Sequence, residues 1–207
     1  EYRRGVAADL ARGLAREGVV VVSGLAPGID AAAHCGALEA GGRTIAVLAT
    51  GIDLVSPTWH AELAREISRA GAVLTELACG TPALPFRFHR RNRLLSALVL
   101  GVVVVEAPEG SGALLTAQSA ADQGRPVFAV PGPLGRPLHA GSHRLIQQGA
   151  RLVTCAQDIL DGLTPAARRR AAPAHPPAAE LTLDPIEQQV LDALGDVGCE
   201  VLPKLEH

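Results

Sequence analysis

Val19-Val20-Val21-Val22-Ser23-Gly24-Leu25-Ala26-Pro27-Gly28-Ile29-Asp30: four β-branched residues run without a polar break into a turn made of glycine, proline and small side chains. An apolar run that does not alternate reads as a strand buried on both faces. Upstream, residues 6–16 carry an amphipathic helical pattern. Downstream, an Ala-rich helix is expected over 31–40, stopped by Gly41-Gly42. The same alternation then repeats. Strands are expected at 44–49, 73–75, 102–106, 127–130 and 152–153, with 102–106 the clearest buried one. Helices are expected from the Ser56-Pro57 start signal to Ala70, through 94–98 after a Pro-rich loop at 81–88, at 114–123 and at 143–148.

Strands that alternate with helices imply an α/β fold. The expectation is a Rossmann-like, doubly wound, mostly parallel sheet with helices on both faces. That domain spans residues 1–163. An Ala/Pro/Arg-rich linker, with Arg168-Arg169-Arg170 and Pro173, Pro176 and Pro177, covers 164–182, and an amphipathic helix opens a small helical segment over 183–207.

Composition narrows the function classes. At 207 residues and 48% hydrophobic, the chain can bury a sizeable core and is not a disordered tail. No apolar run reaches the roughly 18–20 residues that cross a bilayer. Arg3, Arg4 and Asp9 stand where a signal peptide would be apolar, so a cytoplasmic protein without membrane contact is expected. The four cysteines, Cys35, Cys79, Cys155 and Cys199, form no C-x-x-C pair and read as small buried thiols in a reducing compartment, with no metal site. The net charge of −2 means that any nucleic-acid site must be a local patch. With three Phe, one Trp and one Tyr, phosphate contacts are expected to dominate over ring stacking.

In open α/β sheets, ligands bind at the carboxyl ends of the strands. Three junctions there carry glycine: Ser23-Gly24 through Gly28, Gly110-Ser111-Gly112 running into Thr116, and Pro131-Gly132. Such loops let an anion approach main-chain N–H groups at a helix N-terminus, and Ser23, Ser111 and Thr116 add hydroxyls. Neither of the first two loops is a G-x-G-x-x-G or Walker sequence, so no dinucleotide, ATP or other cofactor is expected. The basic run Phe86-Arg87-Phe88-His89-Arg90-Arg91-Asn92-Arg93 puts four arginines within seven residues at a loop-to-helix entry. Guanidinium groups hold phosphates bidentately, and Asn92 can both donate and accept. Asp30 is expected to cap the following helix or orient an arginine, His34 to be packing, and His139 or His143 to lie near a ligand. No catalytic constellation is evident, since Glu106 and Glu109 lack an acid partner.

These strings resemble the DNA-processing protein A family (DprA, also called Smf). The resemblance runs from about Gly5 to Leu163 through Val22-Ser23-Gly24-Leu25-Ala26, Gly28-Ile29-Asp30, Arg91-Asn92-Arg93, Val104-Val105-Glu106-Ala107, Ser111-Gly112-Ala113-Leu114, Thr116-Ala117, Val130-Pro131-Gly132, Leu145-Ile146 and Gly149-Ala150. It implies a single-stranded DNA-binding domain, a homodimer, and delivery of DNA to the RecA recombinase in natural transformation. It also implies that residues 183–207 begin a winged-helix-like domain and that the family's first strand would precede Glu1. Pro27 stands where the family has arginine, His89 where proline is common and His143 where asparagine is common, and the lysine often found near the Ser-Gly loop is missing. Binding is then expected to lean on Arg90, Arg91 and Arg93. The alternative function is a nucleotide phosphoribohydrolase of the lysine-decarboxylase-like Rossmann group. Pro108-Glu109-Gly110-Ser111-Gly112 imitates its loop, but Thr116-Ala117-Gln118 offers no catalytic glutamate.

Overall fold

The computed structural model describes residues 1–163, so the linker and the helical segment expected beyond them lie outside the described residues. Helix α1 (Tyr2–Arg16) leads to strand β1 (Val21–Ser23), helix α2 (Ile29–Glu39) and strand β2 (Thr44–Val47). A short 3₁₀ turn (Thr58–His60) precedes α3 (Ala61–Ala70), β3 (Ala72–Leu74) and α4 (Pro85–Leu98). The second half runs β4 (Val102–Val104), α5 (Gly112–Asp122), β5 (Val127–Ala129), a 3₁₀ turn (Pro137–His139), α6 (Ala140–Gln147), β6 (Arg151–Leu152) and α7 (Ala156–Gly162).

All strand pairings are parallel, as the helical crossovers require. The strands form two three-stranded sheets, ordered β1-β2-β3 and β4-β5-β6. In the first, Val22 faces Ile45 and Ala46 faces Val73; in the second, Val103 faces Phe128 and Ala129 faces Leu152.

Three apolar clusters hold these layers. Leu25, Ala46, Leu48, Ala64 and Ile67 join the first sheet to α3. Leu10 of α1 packs with Phe128, Val130, Val153, Ile159 and Leu163 beside the second sheet, and Val104, Ala107 and Ala117 join β4 to α5. Helices α1 and α2 meet through small residues. A Cβ on Gly36 would run into the Ala8 backbone, so glycine is what lets these helices approach so closely.

Two start signals act differently from expectation. Ser56-Pro57 is followed by the 3₁₀ turn, and the α-helix begins only at Ala61. The basic run is not a loop entry: α4 begins at Pro85, so Arg87 to Arg93 all lie on the helix. Proline at its first turn sacrifices no helical hydrogen bond. The thiol expectation is also corrected, because Cys35, Cys79 and Cys155 are all exposed. Cys35 lies next to the buried His34 on α2 but on the turn's solvent side. Cys199 lies outside the described residues.

Candidate functional site

Because the basic run is helical, its arginines cannot share one direction. At about 100° per residue, Arg87 and Arg91 stack one turn apart while Arg90 and Arg93 point to neighbouring sectors. Arg91 points inward and is only 5% exposed. Its Nη1 donates to the Gly24 carbonyl at 2.8 Å and also to the Val47 carbonyl, tying together the ends of β1 and β2. Burial pulls its pKa below the usual arginine value, opposed by the Asp30 carboxylate. Gly24 has no room for a side chain, since a Cβ there would overlap the Arg91 guanidinium.

Asp30 does not cap α2, whose N-cap is Gly28. Its Oδ2 instead accepts the N–H groups of Gly24 and Ala26 at 3.1 and 3.2 Å, folding the loop back on the helix that follows it. The Gly24 N–H, expected to face an anion, is therefore engaged within the protein. Leu25 between them has φ +59, a conformation a leucine rarely adopts. Its fully buried side chain and a 2.8 Å contact from His60 Nδ1 to its carbonyl hold it there. Gly28, at φ +98, meets nothing within 4 Å at its Cβ position and supplies the freedom that the loop exit needs.

The remaining arginines differ in availability. Arg93 pairs with Glu76. Arg87 donates to the Pro82 carbonyl and lies 5.4 Å from the centroid of the Phe86 ring. Arg90 is exposed, and with Arg87, Arg91, Leu48, Leu77 and Glu76 it lines a shallow groove at the carboxyl end of the first sheet. Asn92 links this helix to the second glycine loop: its Nδ2 donates to the Gly112 carbonyl at 3.3 Å, and its Oδ1 accepts from Arg91 Nε at 3.3 Å. Gly24, Arg91, Asn92 and Gly112 thus form one connected line from loop to loop.

Ser23 ends β1. Gly110, at φ +74, and the N-cap Ser111 open α5, and the buried Ser111 Oγ has no hydrogen-bond partner. Thr116 Oγ1 donates to the Gly112 carbonyl one turn back. The third loop attaches through Gly141, whose N–H donates to the Ala107 carbonyl at 2.9 Å. His143 Nε2 sits 2.9 Å from the Gly132 carbonyl, and the His139 ring fills the space beside Gly132. His139 Nε2 lies 3.7 Å from Glu106, whose buried carboxylate accepts from Arg3 Nη1 at 2.7 Å. That pairing between α1 and β4's end carries no sequence signal, because the two residues are 103 positions apart. Among the described residues, no group of three or more His, Cys, Asp or Glu is placed to hold a metal, and no helix is long and apolar enough to cross a membrane.

His34 is fully buried, and its Nδ1 is 2.7 Å from Thr44 Oγ1. Since the Thr44 hydroxyl donates to the Val21 carbonyl, it accepts from His34 Nδ1–H, and the ring is neutral. Burial lowers its pKa to about 4. His34 is a core group, as expected.

The family model of DNA recombination-mediator protein A matches residues 1–164. The chain belongs to that family. It is 49% identical to Protein Smf of Escherichia coli over 151 residues, covering 72% of this chain and 40% of that protein. The chain spans about half the length of the curated relatives it matches. Among solved structures, DNA processing protein A of Streptococcus pneumoniae superposes with a TM-score of 0.74 at 42% identity, covering 79% of this chain and 58% of that one. The Helicobacter pylori family member, described for its single-stranded DNA binding mode, gives a TM-score of 0.70 at 30% identity, covering 78% and 73%. Family membership accounts for the ordered strings of the sequence and for the Rossmann-like, parallel α/β architecture.

Proposed function

We propose that this chain binds single-stranded DNA, with little regard to sequence, along the carboxyl edge of its first sheet. Arg90 and Arg87 hold backbone phosphates, while Gly28, Gly110 and Gly112 offer main-chain donors at the adjoining helix starts. Arg91 braces the first glycine loop and Asn92 the second, and Arg93 contributes to the extent that phosphate displaces Glu76. The observation that carries this reading is the run of arginines on α4 at the ligand edge of the first sheet, with Arg90 exposed. The Helicobacter pylori relative supports the choice of ligand.

By family resemblance, the proposal extends to a cytoplasmic homodimer that protects incoming DNA and helps load RecA during natural transformation. The domain acts as a binding protein rather than an enzyme: Glu106, the carboxylate nearest the second loop's strand, is engaged by Arg3, and nothing favours the phosphoribohydrolase alternative.

Fluorescence anisotropy of labelled poly-dT, titrated at low and moderate salt beside the matching duplex, tests the proposal. Tighter, salt-sensitive binding of the single strand is expected. Absence of binding at low salt overturns it.

A further inference from the structure

The chain has a single tryptophan, and it is left in solvent: Trp59 is 74% exposed. Indole carries one of the largest apolar surfaces of any side chain, and packing it away stabilises a fold more than almost any other residue does. An isolated exposed ring needs no explanation, but Trp59 is not isolated. Leu54, Leu84 and Phe86 are exposed on the same two segments, which follow the adjacent parallel strands β2 and β3.

Those segments are laced together. Gly51 N–H donates to the Thr81 carbonyl at 2.9 Å, and Gly80 N–H donates to the Asp53 carboxylate at 2.8 Å. The 3₁₀ turn that carries Trp59 is anchored by His60 on the Leu25 carbonyl, one residue from the Gly24 carbonyl that receives Arg91. The turn that carries the exposed indole is therefore joined, through Leu25 and Gly24, to the helix that bears Arg87 and Arg90, at the same carboxyl edge of the first sheet.

Charge selects the occupant. Neighbouring acidic groups are already engaged: Glu76 with Arg93, Glu62 with Arg65, and Asp53 with Gly80 N–H. Glu76 and Glu62 are neutralised by these arginines while Asp53 keeps its charge. Against that one carboxylate stand Arg87, Arg90 and the exposed rings, a combination that suits a strand with phosphates on one side and flat bases on the other. A purely apolar protein partner has no use for Arg87 over the Phe86 ring.

We propose that Trp59 is a base-stacking platform for single-stranded DNA, with Phe86 as a second ring, flanking the phosphate contacts of Arg87 and Arg90. The inference rests on the DNA-binding reading above and adds to it a contact that recognises the base face.

The full chain is titrated with oligo-dT and with an abasic oligodeoxyribonucleotide of equal length, following both anisotropy and tryptophan emission. Because Trp59 is the sole tryptophan, it is its own reporter. Oligo-dT is expected to quench the emission, and the abasic strand to bind more weakly without quenching. Trp59→Ala is expected to weaken oligo-dT binding by about 5- to 150-fold, the range of one stacked base, with no change for the abasic strand. Trp59→Phe retains most of the affinity. Circular dichroism confirms that the variants, altered at an exposed position, remain folded. Oligo-dT binding without quenching, together with wild-type affinity in Trp59→Ala, overturns the platform and leaves the DNA-binding reading intact. Absence of binding to either strand overturns both.

Discussion

Replacing Arg91 by alanine is expected to damage the fold first and DNA binding only through it. Its Nη1 serves the Gly24 and Val47 carbonyls, and its Nε serves Asn92. A hydrogen bond from a charged donor is worth about 1.5–3 kcal/mol, and a buried acceptor left without a partner costs about 1–3 kcal/mol. Two carbonyls lose the same donor, and the side chain vacates space beside Gly24 that a Cβ could not share. The effects overlap, so the loss should be about 3–5 kcal/mol, a large share of the roughly 5–15 kcal/mol that stabilises an ordinary domain. Arg90→Ala, at an exposed position, should stay within about 0.5 kcal/mol of wild type. The two arginines exchange places in the binding assay. Loss of one phosphate contact to a single strand lowers the slope of log K against log salt by about 0.7. Arg90→Ala should show that drop, and Arg91→Ala, measured where it is still folded, should not. Urea denaturation followed by circular dichroism supplies the first quantity, and anisotropy over a salt series supplies the second. An Arg91→Ala protein as stable as wild type with a reduced salt slope would refute the reasoning and return Arg91 to the phosphate patch where its sequence neighbours put it.

Two further outcomes follow from the core. His34 has a folded pKa of about 4 and an unfolded value near the ordinary 6.5, so the unfolded chain binds more protons between them, and stability falls as pH drops through that window. Unfolding free energies from urea titrations at about pH 7 and pH 5 should differ by roughly 2 kcal/mol, and a His34→Gln variant should flatten that difference. Gly36→Ala forces a methyl group into the Ala8 backbone and should cost about 1–3 kcal/mol by thermal or urea unfolding; an unchanged midpoint would mean that α1 and α2 can separate without penalty.

Most of the architecture is legible from residue order because the strands are short apolar runs that alternate with helical stretches, and β1 and β4 lead into glycine turns. The runs at 19–22 and 102–106 become β1 and β4, each shifted or trimmed by a residue or two at its ends. Helix α7 has no comparable signal, since Ala156–Gly162 is a single short stretch whose Asp158 carboxylate closes it by accepting the Thr154 and Cys155 N–H groups. The start of α4 is obscured by proline, which reads as a loop until its neighbours supply a helix for it to begin.

Within the candidate site, residue types and their place at the sheet edge follow from the sequence: glycine loops after β1 and β4, and a basic run entering near them. What each residue does there is a matter of direction. Asp30 belongs to the helix start by position yet turns its carboxylate back to Gly24 and Ala26, because those N–H groups would otherwise lack acceptors in a loop that carries Leu25 at positive φ. Arg91 and Arg90 are adjacent in sequence, but one helical step of about 100° sends the first into the protein and leaves the second in solvent. Local pattern decides the α/β alternation, the parallel pairing and the site's edge, since these depend on periodicity and chain connection. Only the tertiary structure decides which arginine meets water, that Arg3 reaches Glu106, and that the lone tryptophan stands uncovered. Those facts depend on what packs against each side chain from elements distant in the chain.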